Sequence, residues 1–342
     1  MVRILHCGPA TSIQDQGRFG WLRFGIASSG ASDPLALASA NALVGNPAGC
    51  EAIELVFLGA ALEVVGGSVR LALAGARMPL RLDGRTIASD TTFVMEPGCR
   101  LEIGAATAGI YAILAVEGGF DIPAVLGSKS LHRRASLGGL NGQPLAAGSE
   151  IALNCQAPSS DQALTLAPLP LTADGPLRAV LGPQAQRVTQ RGIDTFFGSA
   201  FTVSNAVDRM ACRLDGPPIE LTHGHNIVSD GIVAGSVQIP GSGQPIVMLA
   251  DRQTTGGYPK LATIITPDLR YLVQCRPGET VRFQPVTVEA AEAAARAAAV
   301  ALAQVPLRRR PVPRSPAHDD DLLALNLAGH ASSACDPVTW QG

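Results

Sequence analysis

Aromatic side chains are few in this 342-residue chain, at 4% of the total. No apolar run approaches the roughly 18 residues of a membrane-spanning helix, so a helical membrane protein is not expected. Charge of one sign is missing too: 26 Lys and Arg stand against 28 Asp and Glu, a formal net charge of -2. Nothing in that balance suggests a nucleic-acid or anionic-membrane partner. The one basic cluster, Arg308 to Arg314, lies close to the acidic Asp319-Asp320-Asp321 and reads as part of a solvated tail. Seven cysteines (Cys7, Cys50, Cys99, Cys155, Cys212, Cys275 and Cys335) are odd in number, scattered, and never two or three apart. The pattern argues against a ribbon-type zinc site and a disulfide framework, and fits reduced thiols in a cytoplasmic protein. Met1-Val2-Arg3-Ile4-Leu5-His6-Cys7 has neither the apolar core nor the small-residue cleavage site of a signal peptide, so none is expected.

What the chain has instead is turn chemistry. It carries 37 Gly and 25 Pro, and turn signals recur at the spacing of many short strands. A mainly β protein with a few helices follows. The length suits two domains or one two-lobed unit. An internal echo supports two lobes, since Ile53 to Gly75 superposes on Ser229 to Asp251, placing Glu54 on Asp230 and Gly75 on Asp251. Pro97-Gly98 likewise echoes Pro277-Gly278. The expected organisation is a first β lobe over 1–170, a second over 176–305, and a C-terminal tail over 306–342. Residues 157–176 serve as linker, the tail is irregular from Pro306 to Pro316, and Leu322 to Leu327 returns to the body or contacts a partner. By this reading the first lobe is structural and the second chemically equipped.

Two helices stand out. One has Asp33 as N-cap, Pro34 at its first position and Gly45 as terminator. The other runs from Val288 to Gln304 behind Thr287, with Glu289 and Glu292 near the positive end of its dipole. Capping explains the first helix start at least as well as an anion site does.

The most specific signal is a cassette in the second lobe. An apolar run from Ile246 to Ala250 stops at Asp251-Arg252-Gln253-Thr254-Thr255, turns through Gly256-Gly257-Tyr258-Pro259-Lys260, and becomes apolar again. If extended, it puts Asp251, Gln253 and Thr255 on one face and Arg252 and Thr254 on the other. A carboxylate, an amide and a hydroxyl converging at a barrel mouth orient a lactam or ureido group by donor–acceptor matching. The bland alternative is a polar hairpin tip with a structural Asp–Arg pair. Tyr258 offers a phenol for proton transfer or stacking. Lys260 offers a cation for carboxylate or phosphate oxygens, or is simply solvated. Arg209 either clamps a carboxylate bidentately or bridges the lobes in an ion pair. Asn226, with Ser229 and Asp230, is a candidate for the pocket wall. His223 and His225 have no third ligand nearby, so no metal is assigned. Gln14, Asp15, Gly17 and Arg18 form a polar turn in the first lobe, and Glu54 reads as a buried, paired carboxylate.

Several stretches together resemble one family. They are Thr11-Ser12-Ile13-Gln14-Asp15-Gln16-Gly17-Arg18, Ser29-Gly30-Ala31-Ser32-Asp33-Pro34, Leu43-Val44-Gly45-Asn46, Leu126-Gly127-Ser128-Lys129-Ser130, Leu137-Gly138-Gly139, Asp208-Arg209-Met210 and the Asp251-to-Tyr258 cassette. Over roughly residues 3–305 the chain resembles the allophanate hydrolase subunit 2 family, which includes the C subunit of 5-oxoprolinase and the biotin-dependent carboxyltransferase domain of urea carboxylase. It departs in having Ala211 where Gly is expected and Leu131 where Thr is expected. The resemblance implies paired cyclophilin-like β-barrel lobes in tandem. It also implies ATP-dependent opening of 5-oxo-L-proline to L-glutamate, together with a smaller sister subunit and a separate hydrolase subunit. In that setting Asp251 and Gln253 orient the lactam with Tyr258 beside them. Arg209 takes the substrate carboxylate, Lys260 takes phosphate, and Asn226, Thr254 and Thr255 bind substrate. Two alternatives stay open: a carboxyltransferase using carboxybiotin from a partner, and a non-catalytic regulator that antagonises a kinase inhibitor. The resemblance implies ATP shared with partner subunits; no Walker-type loop is present, and with no biotin-attachment sequence any biotin would be carried by another polypeptide.

Overall fold

The computed structural model describes residues 1–312 apart from Gln156 and Asp161. The stretch Leu322 to Leu327, the Asp319-Asp320-Asp321 run and Cys335 lie outside the described residues. Among the described residues the fold is mainly β with four α-helices: α1 (Pro34–Val44), α2 (Gln190–Gly198), α3 (Thr266–Gln274) and α4 (Val288–Ala303).

The first lobe is two packed sheets, not a closed barrel. One has six strands in the order Glu150–Ile151, Val2–Cys7, Ala60–Val64, Arg100–Ile103, Leu80–Leu82, Arg85–Ile87; the other has five, Ser12–Gln14, Ala52–Val56, Ala108–Val116, Val69–Arg77, Thr92–Met95. The period-2 rule explains the composition of the long central strands. Leu71, Leu73, Leu114 and Val116 point into the core between the sheets. Their neighbours Ala72, Ala74, Ile113 and Ala115 face α1, packing on Leu37 and Leu43. Both faces are buried, so these strands read as continuous apolar runs rather than as alternation. The small Ala residues let the helix approach closely. Capping of α1 is as expected: Asp33 accepts from the N–H groups of Leu35 and Ala36, and Gly45 ends the helix at φ 82°.

The second lobe is a closed seven-stranded barrel, running Leu177–Leu181, Lys260–Ile264, Ser236–Gln238, Ile246–Met248, Ala211–Asp215, Ala200–Val207, Thr280–Pro285 and back to the first. Phe196 of α2 stacks on Phe283 at 4.6 Å between ring centroids and lies near Phe201. The echoed segments Ala60–Val64 and Ser236–Gln238 are strands in both lobes, as are Val69–Arg77 and Ile246–Met248. Pairing does not follow the echo. The first pair falls in different sheets, whereas Ser236–Gln238 and Ile246–Met248 hydrogen-bond directly.

Several contacts join the lobes, and two of them lie side by side. Ile110 and Tyr111 of the first lobe are packed into the apolar core of the second. Beside them Asp33, fully buried, receives Arg270 Nε at 3.1 Å and Nη2 at 3.0 Å, and Gln274 Nε2 at 3.0 Å. The same Gln274 accepts from the N–H groups of Ile110 and Tyr111. One N-cap carboxylate therefore both starts a helix and fastens the lobes. The expected irregular stretch from Pro306 is ordered where described. Val305–Arg308 forms a short 3-10 helix, and Arg310–Pro311 pairs with Leu164–Thr165.

Candidate functional site between the lobes

Arg209 sits at the tip of the hairpin joining Ala200–Val207 to Ala211–Asp215. The tip is tight because Asp208 Oδ1 accepts from the N–H groups of Met210 (2.7 Å) and Ala211 (3.0 Å). The carboxylate makes this turn with Ala211 at negative φ, so a Gly at 211 is unnecessary. Arg209 then reaches into the first lobe. Its Nε and Nη2 donate to Asp251 at 2.8 and 3.1 Å, its Nη1 donates to Glu54 and to Ser32 Oγ, and its Nη2 also donates to Gly30 O. All five N–H groups of the guanidinium are thereby spent. The expectation that Arg209 clamps a substrate carboxylate is corrected on that ground, and its alternative role, a bridge between the lobes, is what the structure contains.

The cluster carries two carboxylates on one guanidinium. Glu54 is fully buried and also accepts from Ser32 N at 2.6 Å. Burial pushes its carboxyl pKa up, against the pull of Arg209 and the Ser32 N–H. Burial works against the Arg209 charge as well, but Glu54 and Asp251 outweigh it and hold the guanidinium firmly protonated. Buried Tyr111, close to this cluster, is shifted upward by burial and by Glu54.

A cavity of about 150 Å³ opens against this cluster, with Ser12, Gln14, Arg134, Arg209, Met210 and Asp251 among its walls. Both lobes contribute. Gln14 is fully buried, and its Nε2 donates to Ser12 Oγ at 2.9 Å and to Leu131 O at 3.2 Å. A backbone carbonyl only accepts, so this contact fixes which way the amide points. Gln14 Oε1 is left buried with no partner among the described residues. Four of the six such orphaned side-chain atoms lie between residues 11 and 29: Thr11 Oγ1, Gln14 Oε1, Arg18 Nη1 and Ser29 Oγ. Unspent polarity is therefore concentrated in the lobe expected to be merely structural.

Two stretches of the resemblance meet behind the cavity. Asp15 accepts from Gly17 N, Ser128 Oγ and Lys129 N at 2.7, 2.7 and 2.6 Å. Arg18, 1% exposed, donates to the carbonyls of Val125, Ser128 and Ser130. These contacts hold the Ser12–Gln14 strand beside Leu131, whose apolar side chain forms part of the wall.

Of the cassette, Asp251 alone lines this cavity. The expected shared face for Asp251, Gln253 and Thr255 does not form, because the strand ends at Met248 and the chain turns at Ala250-Asp251. The turn is built around Arg252, which is buried and aims its guanidinium at the carbonyls of Ile232, Leu249 and Ala250. Gln253 is half-buried near Gln238, both amides lying against Gly256. Thr254 is half-buried, while Thr255 and Tyr258 are exposed. Asn226 stands on an exposed loop with His223 and His225. Lys260 is 3% exposed, and its ammonium is paired with Asp230 at 2.7 Å, so it offers no free cation for phosphate. That contact, with further hydrogen bonds from Gly231 N and Gln184, holds the Asp230 carboxyl down at about 2.

Set against known proteins, residues 24–285 match the family model described as carboxyltransferase domain, subdomain A and B. The chain belongs to that carboxyltransferase family. Within it, the chain is 36% identical over 295 residues to the 5-oxoprolinase C subunit of Haemophilus influenzae, covering 85% of this chain and 93% of that one. It is 35% identical to the protein of the same name from Escherichia coli, with 85% and 93% covered. The solved urea carboxylase of Kluyveromyces lactis superposes at a TM-score of 0.81 with 26% identity, covering 89% of this chain and 29% of that longer one. The expected family and mainly β fold thus hold. Sequence reasoning placed Gln14 only in a polar turn and did not single out Arg133 and Arg134, which line the cavity but which no local pattern marks.

Proposed function

We propose that this chain is a subunit of a 5-oxoprolinase-type complex that opens 5-oxo-L-proline to L-glutamate with ATP, and that the cavity between the lobes receives the lactam ring. The observation that carries the reading is the orphaned Gln14 Oε1. An unmade buried hydrogen bond costs roughly 1–3 kcal/mol, which a ring N–H entering the cavity recovers. A lactam supplies that donor next to its carbonyl. Asp251, held rigid by Arg209, is the nearby carboxylate that can accept a proton or orient water. Likeness to two proteins named as the C subunit of 5-oxoprolinase, over most of both lengths, supports the choice of substrate.

The loop that most resembles a phosphate cradle does not serve as one. The Leu126-to-Ser130 loop opens no helix, and its Lys129 ammonium is already held by Glu51 Oε1 at 2.7 Å and Phe120 O at 2.8 Å. We therefore place the nucleotide on a smaller sister subunit or a separate hydrolase subunit, and assign no nucleotide-dependent step to this chain. A cytoplasmic location agrees with the six free cysteines among the described residues. Among those residues no helix is long and apolar enough to cross a membrane.

A second reading rests on the likeness to urea carboxylase. The same acceptor would read a ureido N–H, with carboxybiotin delivered by a partner. The test is 5-oxoproline-dependent ATP hydrolysis and glutamate release by the complex reconstituted with and without this chain. Turnover that needs the chain is expected. Turnover with urea and biotinylated partner, but none with 5-oxoproline, would replace the first reading by the second.

A further inference from the structure

Charge is distributed unevenly along the cavity. Its inner end holds Asp251 on Arg209, with Glu54 behind, so two carboxylates face one guanidinium whose donors are all used. An incoming carboxylate meets a net negative charge there. At the mouth the balance reverses, because two arginines stand there against the single exposed carboxylate of Asp208. Arg133 and Arg134 stand side by side on the short helical turn Arg133–Ala135, both exposed and both lining the cavity. The turn is anchored by His132 Nδ1, which accepts from Ala135 N at 3.2 Å. Arg134 spans the opening from the first lobe to the second, with Nη1 3.1 Å from Met210 Sδ. A thioether sulfur is a weak acceptor, and among the described residues no carboxylate pairs with either arginine. Arg134 is thus a positioned guanidinium without an anion. Gln14, whose Oε1 is the orphaned acceptor, is fully buried and is one of the residues that line the same cavity.

We propose that Arg134, with Arg133 beside it, is the carboxylate anchor of this site: a small cyclic amide enters ring first, its N–H on Gln14 Oε1, and leaves its carboxylate at the mouth on the Arg134 fork. The proposal rests on the reading that the cavity receives the ring, and it deepens that reading by naming what selects an anionic lactam over a neutral one. A planar fork suits two carboxylate oxygens in a way that a lysine would not.

The test is equilibrium binding of 5-oxo-L-proline and of 2-pyrrolidinone, the same ring without the carboxylate, to the full chain alone and combined with its partner subunits. Wild type is compared with Arg134→Gln, Arg133→Gln and the double variant. Both arginines are exposed, so folding is expected to survive, and an unchanged thermal midpoint checks it. We expect wild type to favour 5-oxo-L-proline, Arg134→Gln to weaken that ligand roughly tenfold, the scale of one charge-assisted contact, and 2-pyrrolidinone to bind wild type and variant alike. A preference for the acid that persists in the double variant overturns the anchor while leaving the ring site standing. Failure of both rings to bind any wild-type preparation overturns the ring site and the anchor with it. Inorganic phosphate that binds wild type but not Arg134→Gln, with the acid preference intact, assigns the arginine to a phosphoryl group and overturns the carboxylate assignment.

Discussion

Three arginines of this protein show that function at the residue scale is decided by what surrounds a group. Arg209 is encased by two carboxylates, a hydroxyl and a carbonyl. Arg252 is encased by carbonyls alone, and burial lowers its pKa. Among the described residues Arg134 has only a sulfur. From sequence, Arg209 was the natural clamp, because the pairing that consumes it joins residues 42 apart in the chain and another lobe altogether. Its structural weight is testable. Arg209→Met leaves Glu54 buried and unpaired, and loss of one partner of a buried pair costs about 3–5 kcal/mol. Urea unfolding should show that loss, and a change below about 1 kcal/mol would mean that the cluster does not fasten the lobes. Asp230 gives a second check. Its folded-state pKa is depressed from 3.8 to about 2, first by Lys260. A depressed carboxylate stabilises the fold above the unfolded pKa, and that contribution disappears as pH falls from about 4 to about 2. Carboxyl NMR should find its midpoint near 2, and a midpoint near 3.8 would mean that Lys260 is not its partner.

At the scale of elements, legibility followed locality. Both ends of α1 could be read because cap, proline and terminator lie within a few residues of one another, and α4 begins as expected, with Thr287 Oγ1 accepting from Ala290 N. α2 and α3 gave a weaker signal, since Thr189 caps α2 and Pro267 opens α3 but neither ends on a left-handed cap. α2 contains Gly192 and two Phe residues whose value lies in filling the barrel core, and α3 has no side-chain cap. Its Arg270 and Gln274 gain their meaning only from Asp33 in the other lobe. The cassette failed as an extended strand because a buried arginine bent it, a tertiary effect that period-2 reasoning does not contain. The echo between Gly75 and Asp251 also has an element-scale reason. Gly75 lies within a strand at φ 108°, and a Cβ there would stand 2.6 Å from Tyr111 O. Gly75→Ala should cost ~2 kcal/mol or more from left-handed strain and backbone contact together. Thermal unfolding of this single variant measures it, and an unchanged midpoint would contradict the tight approach of the two strands.

For the whole molecule, the division into one structural and one chemical lobe gives way to a shared site. The first lobe brings the orphaned acceptor and the mouth arginines; the second brings Asp251 and the arginine that fixes it. Neither lobe holds the cavity alone, which accounts for the buried polar contacts spent on holding them together. The motifs that carried the family resemblance are largely those that build this junction, so the family was legible while the geometry was not. The most direct test of the claim that substrate enters between the lobes is turnover of 5-oxo-L-proline by the reconstituted complex carrying either Gln14→Leu or Tyr258→Ala. Gln14→Leu should lower kcat/KM by about tenfold to a hundredfold with the fold intact, the scale of one lost hydrogen bond in a buried site, while Tyr258→Ala leaves it within about twofold of wild type. A Gln14→Leu complex as active as wild type, beside a Tyr258→Ala complex that has lost activity, would contradict the account and return the site to the cassette.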